Sequence, residues 1–463
     1  PPDPHGAPEI LQLPLSFLHT NFKISSNGET LIIADESGQI INQIETGQIP
    51  ADISRGRYPD GEANWFFFEE ATPGEMNNTQ VYQGVAESPQ FSQPGGFYSS
   101  SLNIEISTES SNAVIFYTID GSEPTEASNI FDNILNINST TVVRVRVFET
   151  GNLPSKVITQ TYFINEDHNL PVISISSAPA NFWDNETGIY IMGDNAGSEF
   201  PYFGANFWED WEKPIHVELF ESDGTPGFSI DAGVKIFGGW SRAFSQKSLA
   251  IYARGGYGYS EINYQIFTDR TIDKFQAFVL RNSGNDWDHS MFRDGMMQSL
   301  VNDFNIETQA YKPCVVFING EYWGIHNIRE KINEHYINSH FDVDPDNIDL
   351  LENWGIPIIG DAENYNMLID YITSHDLSIP QNYEYVKTQM DMENFIDYNI
   401  AQIYFDNTDW PGNNIKFWRP KSSAGKWRWI LFDTDFGFGL YNDYAYNHDT
   451  MEFATDPGGP DWP

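Results

Sequence analysis

The rhythm of hydrophobic and polar positions changes near residue 170. Before it come short apolar or alternating runs: Thr30-Leu-Ile-Ile-Ala, Gln39-Ile-Ile-Asn-Gln-Ile, Leu102-Asn-Ile-Glu-Ile-Ser, Ala113-Val-Ile-Phe-Tyr-Thr-Ile, Thr141-Val-Val-Arg-Val-Arg-Val-Phe and Ile158-Thr-Gln-Thr-Tyr-Phe. Period-two runs between Gly, Asp, Ser and Pro turns predict strands, and their regular spacing predicts small β-sandwiches. A stretch with Pro73, Gly74 and two Asn near 72–80 divides a first unit, 1–80, from a second, 81–166. From 167 to 463 the pattern is mixed. Strands are predicted at 214–220, 233–237, 248–253, 276–281, 313–318, 415–419 and 427–432. Helices are predicted at 289–303, 328–340, 362–375 and 391–406; in the first, Met291, Phe292, Met296, Leu300 and Val301 fall at helical spacing. The predicted fold class is multidomain, two N-terminal all-β sandwich modules followed by an α+β domain.

Composition sharpens this picture. The chain has 463 residues, 66 acidic against 24 basic, for a net charge of −42. At 15% aromatic and 40% hydrophobic residues it has the apolar content of a folded protein rather than of an acidic disordered one. The negative field disfavours nucleic acid and anionic membrane surfaces. No run of 18 apolar residues occurs, so no transmembrane helix and no membrane insertion are predicted. Residue 1 is Pro, which reads as a processed or trimmed product, and with the acidity and the β-rich front this points to a secreted or cell-surface protein of a bacterium. The single cysteine, Cys314, excludes an intramolecular disulfide and sits in an apolar strand pattern, as a buried hydrophobe would.

Candidate chemistry concentrates in the C-terminal region. Phe405-Asp-Asn-Thr-Asp-Trp-Pro-Gly-Asn-Asn-Ile-Lys-Phe-Trp-Arg is followed by Trp429-Ile-Leu-Phe-Asp-Thr-Asp-Phe-Gly-Phe-Gly. Phosphoryl transfer needs an Asp to orient the attacking hydroxyl, an Asn or Asp shortly after it for a divalent ion, and a further carboxylate at a strand end. Asp409 and Asn414 have that spacing, and the strand from Trp427 delivers Asp433 and Asp435. Upstream, Phe237-Gly-Gly-Trp-Ser-Arg-Ala-Phe-Ser-Gln-Lys-Ser pairs two glycines, which allow close approach to an anion, with Arg242 and Lys247. A surface turn with solvated charges is the other reading of that segment. Arg281 and Asp286 are read either as site residues or as a buried ion pair. Asp342, Asp344, Asp346 and Asp349 form either a structural calcium loop or a solvated acidic turn; the Gly and Glu positions of an EF-hand are missing. Scattered histidines give no zinc motif. Trp208, Trp211, Trp240 and Trp410 are read as packing residues, with sugar binding as the alternative.

Three resemblances add to this. Thr20-Asn-Phe-Lys-Ile-Ser-Ser-Asn-Gly-Glu, Gly56-Arg-Tyr-Pro-Asp-Gly and Ala71-Thr-Pro-Gly-Glu-Met resemble the later part of a lamin-tail-type domain. Phe91-Ser-Gln-Pro-Gly-Gly-Phe-Tyr and Ile119-Asp-Gly-Ser-Glu-Pro-Thr resemble the chitobiase/hexosaminidase C-terminal β-sandwich. Both imply immunoglobulin-like sandwiches that serve as spacers or in glycan contact. Gly238-Gly-Trp-Ser-Arg-Ala-Phe-Ser-Gln-Lys-Ser, Leu280-Arg-Asn-Ser-Gly-Asn-Asp-Trp, Met291-Phe-Arg-Asp, Val316-Phe-Ile-Asn-Gly-Glu-Tyr-Trp-Gly-Ile-His-Asn-Ile-Arg-Glu-Lys and Val343-Asp-Pro-Asp-Asn-Ile-Asp-Leu-Leu resemble the CotH family of spore-coat and secreted atypical kinases. That resemblance implies a diverged, two-lobed protein-kinase-like fold using ATP with Mg or Mn. It implies Lys247 on the ATP phosphates, Asp409 as catalytic Asp, and Asn414 and Asp433 on the metal; the Asp-Phe-Gly spelling adds Asp435. Arg242, Arg281 and Glu330 join Lys247 as nucleotide-binding candidates, Glu330 lying nearer a hinge than a central helix. A kinase C-lobe carries more helix after the metal loop than the sequence does here, so an incomplete C-lobe is expected. The function implied is ATP-dependent phosphorylation of Ser or Thr on a secreted or surface protein. The rivals are a non-catalytic coat or surface scaffold and a glycan-binding protein.

Overall fold

A computed structural model describes residues 24–25 and 28–456. Thr20–Lys23 and Ser26–Asn27 of the lamin-tail-like stretch lie outside the described residues. The chain divides into two compact units, one reaching Asp167 and one comprising most of the chain from His168 onward.

The first unit is β-rich, as the alternation predicts. Thr30–Ala34 pairs with Ile40–Glu45 and Ser54–Arg57 with Trp65–Phe68, both antiparallel. A five-stranded sheet then runs in the order Asn129–Ile130, Ala113–Thr118, Thr141–Glu149, Ile158–Ile164, Gly96–Tyr98. In Thr141–Glu149, Val143 and Val145 join Ile104, Ile106, Ile137, Tyr162 and Ile164 in one core. The intervening Arg144 and Arg146 face the other way and bind Gly121 O at 2.8 Å and Glu123 Oε1 at 2.7 Å. The Asp120-Gly-Ser-Glu turn is therefore anchored by the strand's polar face.

The second unit opens with a closed barrel ordered Val172–Ser176, Lys213–Phe220, Pro226–Phe237, Ser248–Tyr252, Ala277–Arg281, Glu321–Glu330, Tyr311–Ile318. Its interior takes Val234, Ile236, Leu249, Ile251, Phe278, Leu280 and Ile328, all buried. Residues one position away therefore face outward. Register aligns Lys235, Ala250, Val279 and Arg329 in one row across four strands. A second sheet is ordered Glu307–Thr308, Arg428–Leu431, Lys416–Pro420, Ile348–Glu352, Ile356–Ile359. Phe417, Trp429, Leu431 and Leu351 on one face pack with Leu368, Val386, Tyr398, Ala401 and Phe405, which the helices Glu363–Ser374, Pro380–Gln389 and Met392–Tyr404 and the turn after them supply. On the other face Trp418, Ile430, Ile348 and Leu350 meet Tyr336 and Ile337 of the helix Glu334–Phe341.

Two predicted helices are shorter than their patterns. The one expected at 328–340 starts at Glu334, because the strand Glu321–Glu330 runs through Ile328 and closes the barrel. Asn333 caps the helix, its side chain accepting from the His335 and Tyr336 amides at 3.1 and 3.0 Å. The one expected at 289–303 is confined to Arg293–Leu300. The Asp286 carboxylate takes the Ser290 and Arg293 amides, each at 3.1 Å, and holds the preceding residues in a turn. The helix Pro380–Gln389 and the strands Val172–Ser176, Ile348–Glu352 and Ile356–Ile359 are not predicted by the pattern. No helix among the described residues is long and apolar enough to cross a membrane. Cys314 is fully buried, and burial pushes its thiol pKa well up, as an inert core residue requires.

Candidate active site

Asp409 lies in the loop after the Met392–Tyr404 helix, and Asn414 lies two residues before Lys416–Pro420, the central strand of the second sheet. The Asn414 side-chain amide donates to Asp409 Oδ2 at 2.7 Å, and Asn413 adds longer contacts of 3.3 and 3.4 Å to the two carboxylate oxygens. Asn414 and Asp433 both sit at left-handed backbone angles, φ 54° and 52°, which Asn and Asp tolerate better than most residues. The paired strands Lys416–Pro420 and Arg428–Leu431 bring the two ends of this hairpin together. The D-x-x-x-x-N segment and the Asp433–Asp435 segment therefore face each other. Burial raises the Asp409 pKa to about 6, and the Asp433 charge adds to the rise.

Asp433 and Asp435 share one cation. Arg281, at the end of the Ala277–Arg281 strand, donates through Nη2 to Asp433 Oδ1 and, at 2.9 Å, to Asp435 Oδ2. Asp435 is fully buried. Its Oδ2 also accepts the Asn285 amide at 2.9 Å, while its Oδ1 has no hydrogen-bond partner among the described residues. Burial first and the Asp433 charge second push the Asp435 pKa up, with Arg281 opposing. Gly284, at φ +59°, brings the turn against this carboxylate. A Cβ there would fall inside van der Waals contact with Asp435 Oδ2 and 2.6 Å from Arg281 Nη2.

Behind this pair lies a buried relay. Asp294, in the first turn of the Arg293–Leu300 helix, binds Arg329 Nη1 and lies 3.9 Å from Arg281 Nη1. Its Oδ1 accepts from Gln298 at 2.8 Å and from the Thr434 amide and hydroxyl at 2.9 and 3.0 Å. Burial works against this carboxylate, but Arg329 and Arg281 hold its pKa well below the usual range. Asp294 thus fixes Thr434, and with it the positions of Asp433 and Asp435 on either side.

The remaining sequence candidates lie elsewhere. Lys247 is buried with its ammonium on Arg242 O and Phe244 O, both at 2.8 Å, and 4.0 Å from the Phe207 ring centroid. Burial among these groups lowers its pKa to about 8. Arg242 binds Gly238 O at 2.8 Å and the carbonyls of Phe207 and Trp208 at 3.2 and 3.3 Å, closing the glycine turn onto its neighbour. Glu330 takes the Ala310 amide at 2.8 Å and His340 Nε2 at 2.7 Å. The structure places no contact between Glu330 and Lys247. Asp286 organises its own turn and Arg293. In the acidic segment Asp349 is buried and bound by Arg419 at 3.0 Å and Lys421 at 3.3 Å. Trp410 is buried, whereas Trp240 is 59% exposed. Spacing along the chain assigns no role to Asp294, Arg329 or Gly284. Arg329, one residue beyond Ile328 in the strand-like segment Ile325-His-Asn-Ile-Arg, was the available signal, since a buried Arg requires a buried carboxylate.

The oxygen donors suit a hard divalent ion, and the orphaned Asp435 Oδ1 beside Asp433 is an acceptor that such an ion could use. Among the described residues no three His, Cys, Asp or Glu side chains already converge on one point; Arg281 lies between the carboxylates instead.

Residues 234–462 match the family model described as CotH kinase protein, and residues 93–159 match that of the chitobiase/beta-hexosaminidase C-terminal domain. No curated protein is matched by the chain. The barrel from the end of the Pro226–Phe237 strand onward, the Asp294 relay and the Asp409–Asp435 hairpin fall within the first match, so this part of the chain is similar to the CotH kinase protein family and follows a region similar to the chitobiase/β-hexosaminidase C-terminal domain.

Proposed function

We propose that this protein transfers the γ-phosphoryl group of ATP to a Ser or Thr hydroxyl of a secreted or surface protein of a bacterium. The observation that carries the reading is the Asp409–Asn414 pair at 2.7 Å, set across a hairpin from Asp433, where burial and, second to it, the Asp433 charge lift the Asp409 pKa to about 6. A carboxylate with that pKa is mostly ionised at neutral pH yet basic enough to accept a proton. Asp409 accepts the hydroxyl hydrogen, the hydroxyl oxygen bonds to the γ-phosphorus, and the bond from that phosphorus to the β,γ-bridging oxygen breaks to release ADP. Asn414 holds Asp409 in place, and the Asp294–Thr434 contacts hold Asp433 and Asp435. Mg or Mn held by Asn414, Asp433 and Asp435 would neutralise phosphate charge beside these carboxylates. Glycan contact through the N-terminal sandwiches would position the enzyme on a surface.

Radiolabelled ATP, Mg or Mn, and a Ser/Thr-rich acceptor protein test this. Wild type should transfer label, and Asp409→Ala and Asp433→Ala should each lose roughly 100-fold or more. Absence of transfer by wild type, together with absence of an ATP-dependent thermal shift, would remove the reading. One observation favours a second reading, a non-catalytic surface scaffold: Arg281 binds both Asp433 and Asp435 where an ion would have to enter. A scaffold would keep its melting temperature unchanged when Mg and ATP are added.

A further inference from the structure

Away from the Asp409–Asp435 hairpin, one row of side chains joins a hydroxyl, an imidazole and a carboxylate. It lies on the paired strands Lys213–Phe220 and Pro226–Phe237, after residue 159 and before residue 234, outside both matched regions. His216 Nδ1 lies 2.8 Å from Asp231 Oδ1, and His216 Nε2 lies 2.9 Å from Ser229 Oγ. The register produces the row. His216 stands directly opposite Asp231, and Ser229, two positions before Asp231, shares its face of the sheet. The pairing then shifts just beyond the Glu218–Ser229 pair, an irregularity of the kind that re-aims side chains.

The chemistry of the partners sets the direction of the row. An ionised carboxylate only accepts, so Nδ1 carries the ring proton and donates it to Asp231. Nε2 keeps its lone pair, and the Ser229 hydroxyl donates to it. This is the tautomer in which an imidazole takes a proton from serine. Exposure runs in the same order. Ser229 is exposed, His216 is buried behind it at 7%, and Asp231 is half-buried. Water would satisfy Nε2 equally well; a serine at that atom adds a nucleophile that solvent and solutes reach. The surroundings narrow what it can take. Glu218, opposite Ser229, shares its face, and its carboxylate disfavours an anionic substrate. Ser229 sits inside a paired strand, not at a helix N-terminus or turn where free amides gather around an oxyanion. The leaving group must therefore carry charge well, which selects neutral aryl esters or thioesters over amides.

We infer that Ser229, His216 and Asp231 form a second reactive site, one that accepts the acyl group of a neutral activated ester, independently of the phosphoryl-transfer reading. Ser229 Oγ bonds to the acyl carbon and passes its proton to His216 Nε2. The bond from that carbon to the leaving oxygen or sulfur breaks, and the leaving atom takes the proton. Water, giving a proton to the same nitrogen, then attacks the acyl-serine and releases the acid and the free Ser229 hydroxyl. Asp231 holds the ring and its tautomer throughout. The full chain tests this with two probes, p-nitrophenyl acetate and an alkyl fluorophosphonate, whose fluoride a reactive serine displaces. Mass mapping of wild type should find the phosphonyl group, and under p-nitrophenyl acetate the acetyl group, on Ser229. Ser229→Ala, a change at an exposed position, should keep the melting temperature and lose both adducts. His216→Gln should slow labelling about 100-fold or more, and Asp231→Asn should slow it by a smaller factor, about tenfold or more, through loss of the tautomer. No adduct on Ser229 of wild type overturns the inference, as does labelling of His216→Gln at the wild-type rate. If His216→Gln does not fold, labelling of Asp231→Asn at the wild-type rate overturns it equally.

Discussion

Asp409 is held in its folded site at a free-energy cost that its proposed role explains. Its pKa rises from the ordinary 3.8 to about 6 through burial and the Asp433 charge, so the folded state favours the protonated form and the ionised form weakens the fold. The destabilisation is absent below about 4, grows as pH rises from 4 to 6, and is complete above that. The upper bound is about 3 kcal/mol, and partial solvent screening brings it to about 1–2 kcal/mol. Asp409→Asn should therefore abolish transfer while making the protein more stable by that amount at pH 7.5, and the gain should vanish near pH 4. Urea unfolding at several pH values measures it; a stability gain independent of pH would contradict the assignment. Gly284 gives the opposite case. Its φ of +59° and its contact with Asp435 and Arg281 leave no room for a methyl group. Gly284→Ala should destabilise by about 2 kcal/mol or more and lower transfer activity, whereas Gly256→Ala, in open space, should change neither.

At the scale of elements, one short helix, one strand and one loop are tied through a single carboxylate. Asp294 on the Arg293–Leu300 helix, Arg329 on the Glu321–Glu330 strand and Thr434 between the two acids meet there, with Arg281 alongside. Removing Asp294 leaves two buried guanidinium groups without their shared partner, so Asp294→Ala should cost about 3–5 kcal/mol. Arg329→Met should cost less, because Asp294 keeps Thr434 and Gln298 and gains Arg281 as its main cation. Chemical denaturation of both single variants and the double variant gives the coupling, and additive costs would disprove the relay. The same elements show which parts of the fold could be read in advance. Strands such as Ala277–Arg281 and Lys416–Pro420 and the helix Met392–Tyr404 carry their own periodicity, so their positions follow from pattern. The Asp409–Asn414–Asp433 juxtaposition was readable too, because the intervening hairpin is local in sequence. Lys247 lies close in sequence to Gly238–Gly239, but that proximity does not say that its ammonium will meet the Arg242 and Phe244 carbonyls after the turn closes. Asp294 and Arg329 become neighbours of the site through contacts between residues far apart in sequence, Thr434 with Asp294 and Arg281 with Asp433, and no local spacing encodes those.

For the whole molecule, the net charge of −42 sets a background against which every cation has a position to justify. In the second unit the basic residues gather where acids are buried: Arg281 and Arg329 at Asp294, Asp433 and Asp435; Arg419 and Lys421 at Asp349; Arg428 at Glu307 and Asp391. Exposed carboxylates are left to repel one another, and salt should relieve that repulsion without any specific site. Raising NaCl from about 50 to 500 mM should therefore raise the melting temperature of wild type and of an Asp433→Asn/Asp435→Asn variant alike. A divalent ion held by Asn414, Asp433 and Asp435 makes a different demand. At an ionic strength fixed with NaCl, millimolar MgCl2 or MnCl2 should raise the wild-type melting temperature further, following the logarithmic dependence on ion concentration of a ligand that binds only the folded state. The double variant should show the NaCl response and lose the divalent one. Because Arg281 already bridges the two acids, the ion has to displace or share that contact, so Arg281→Met should tighten the divalent response even as it lowers stability in NaCl alone. An equal divalent shift in wild type and in the double variant would place the ions on the acidic surface at large and leave the buried pair to Arg281.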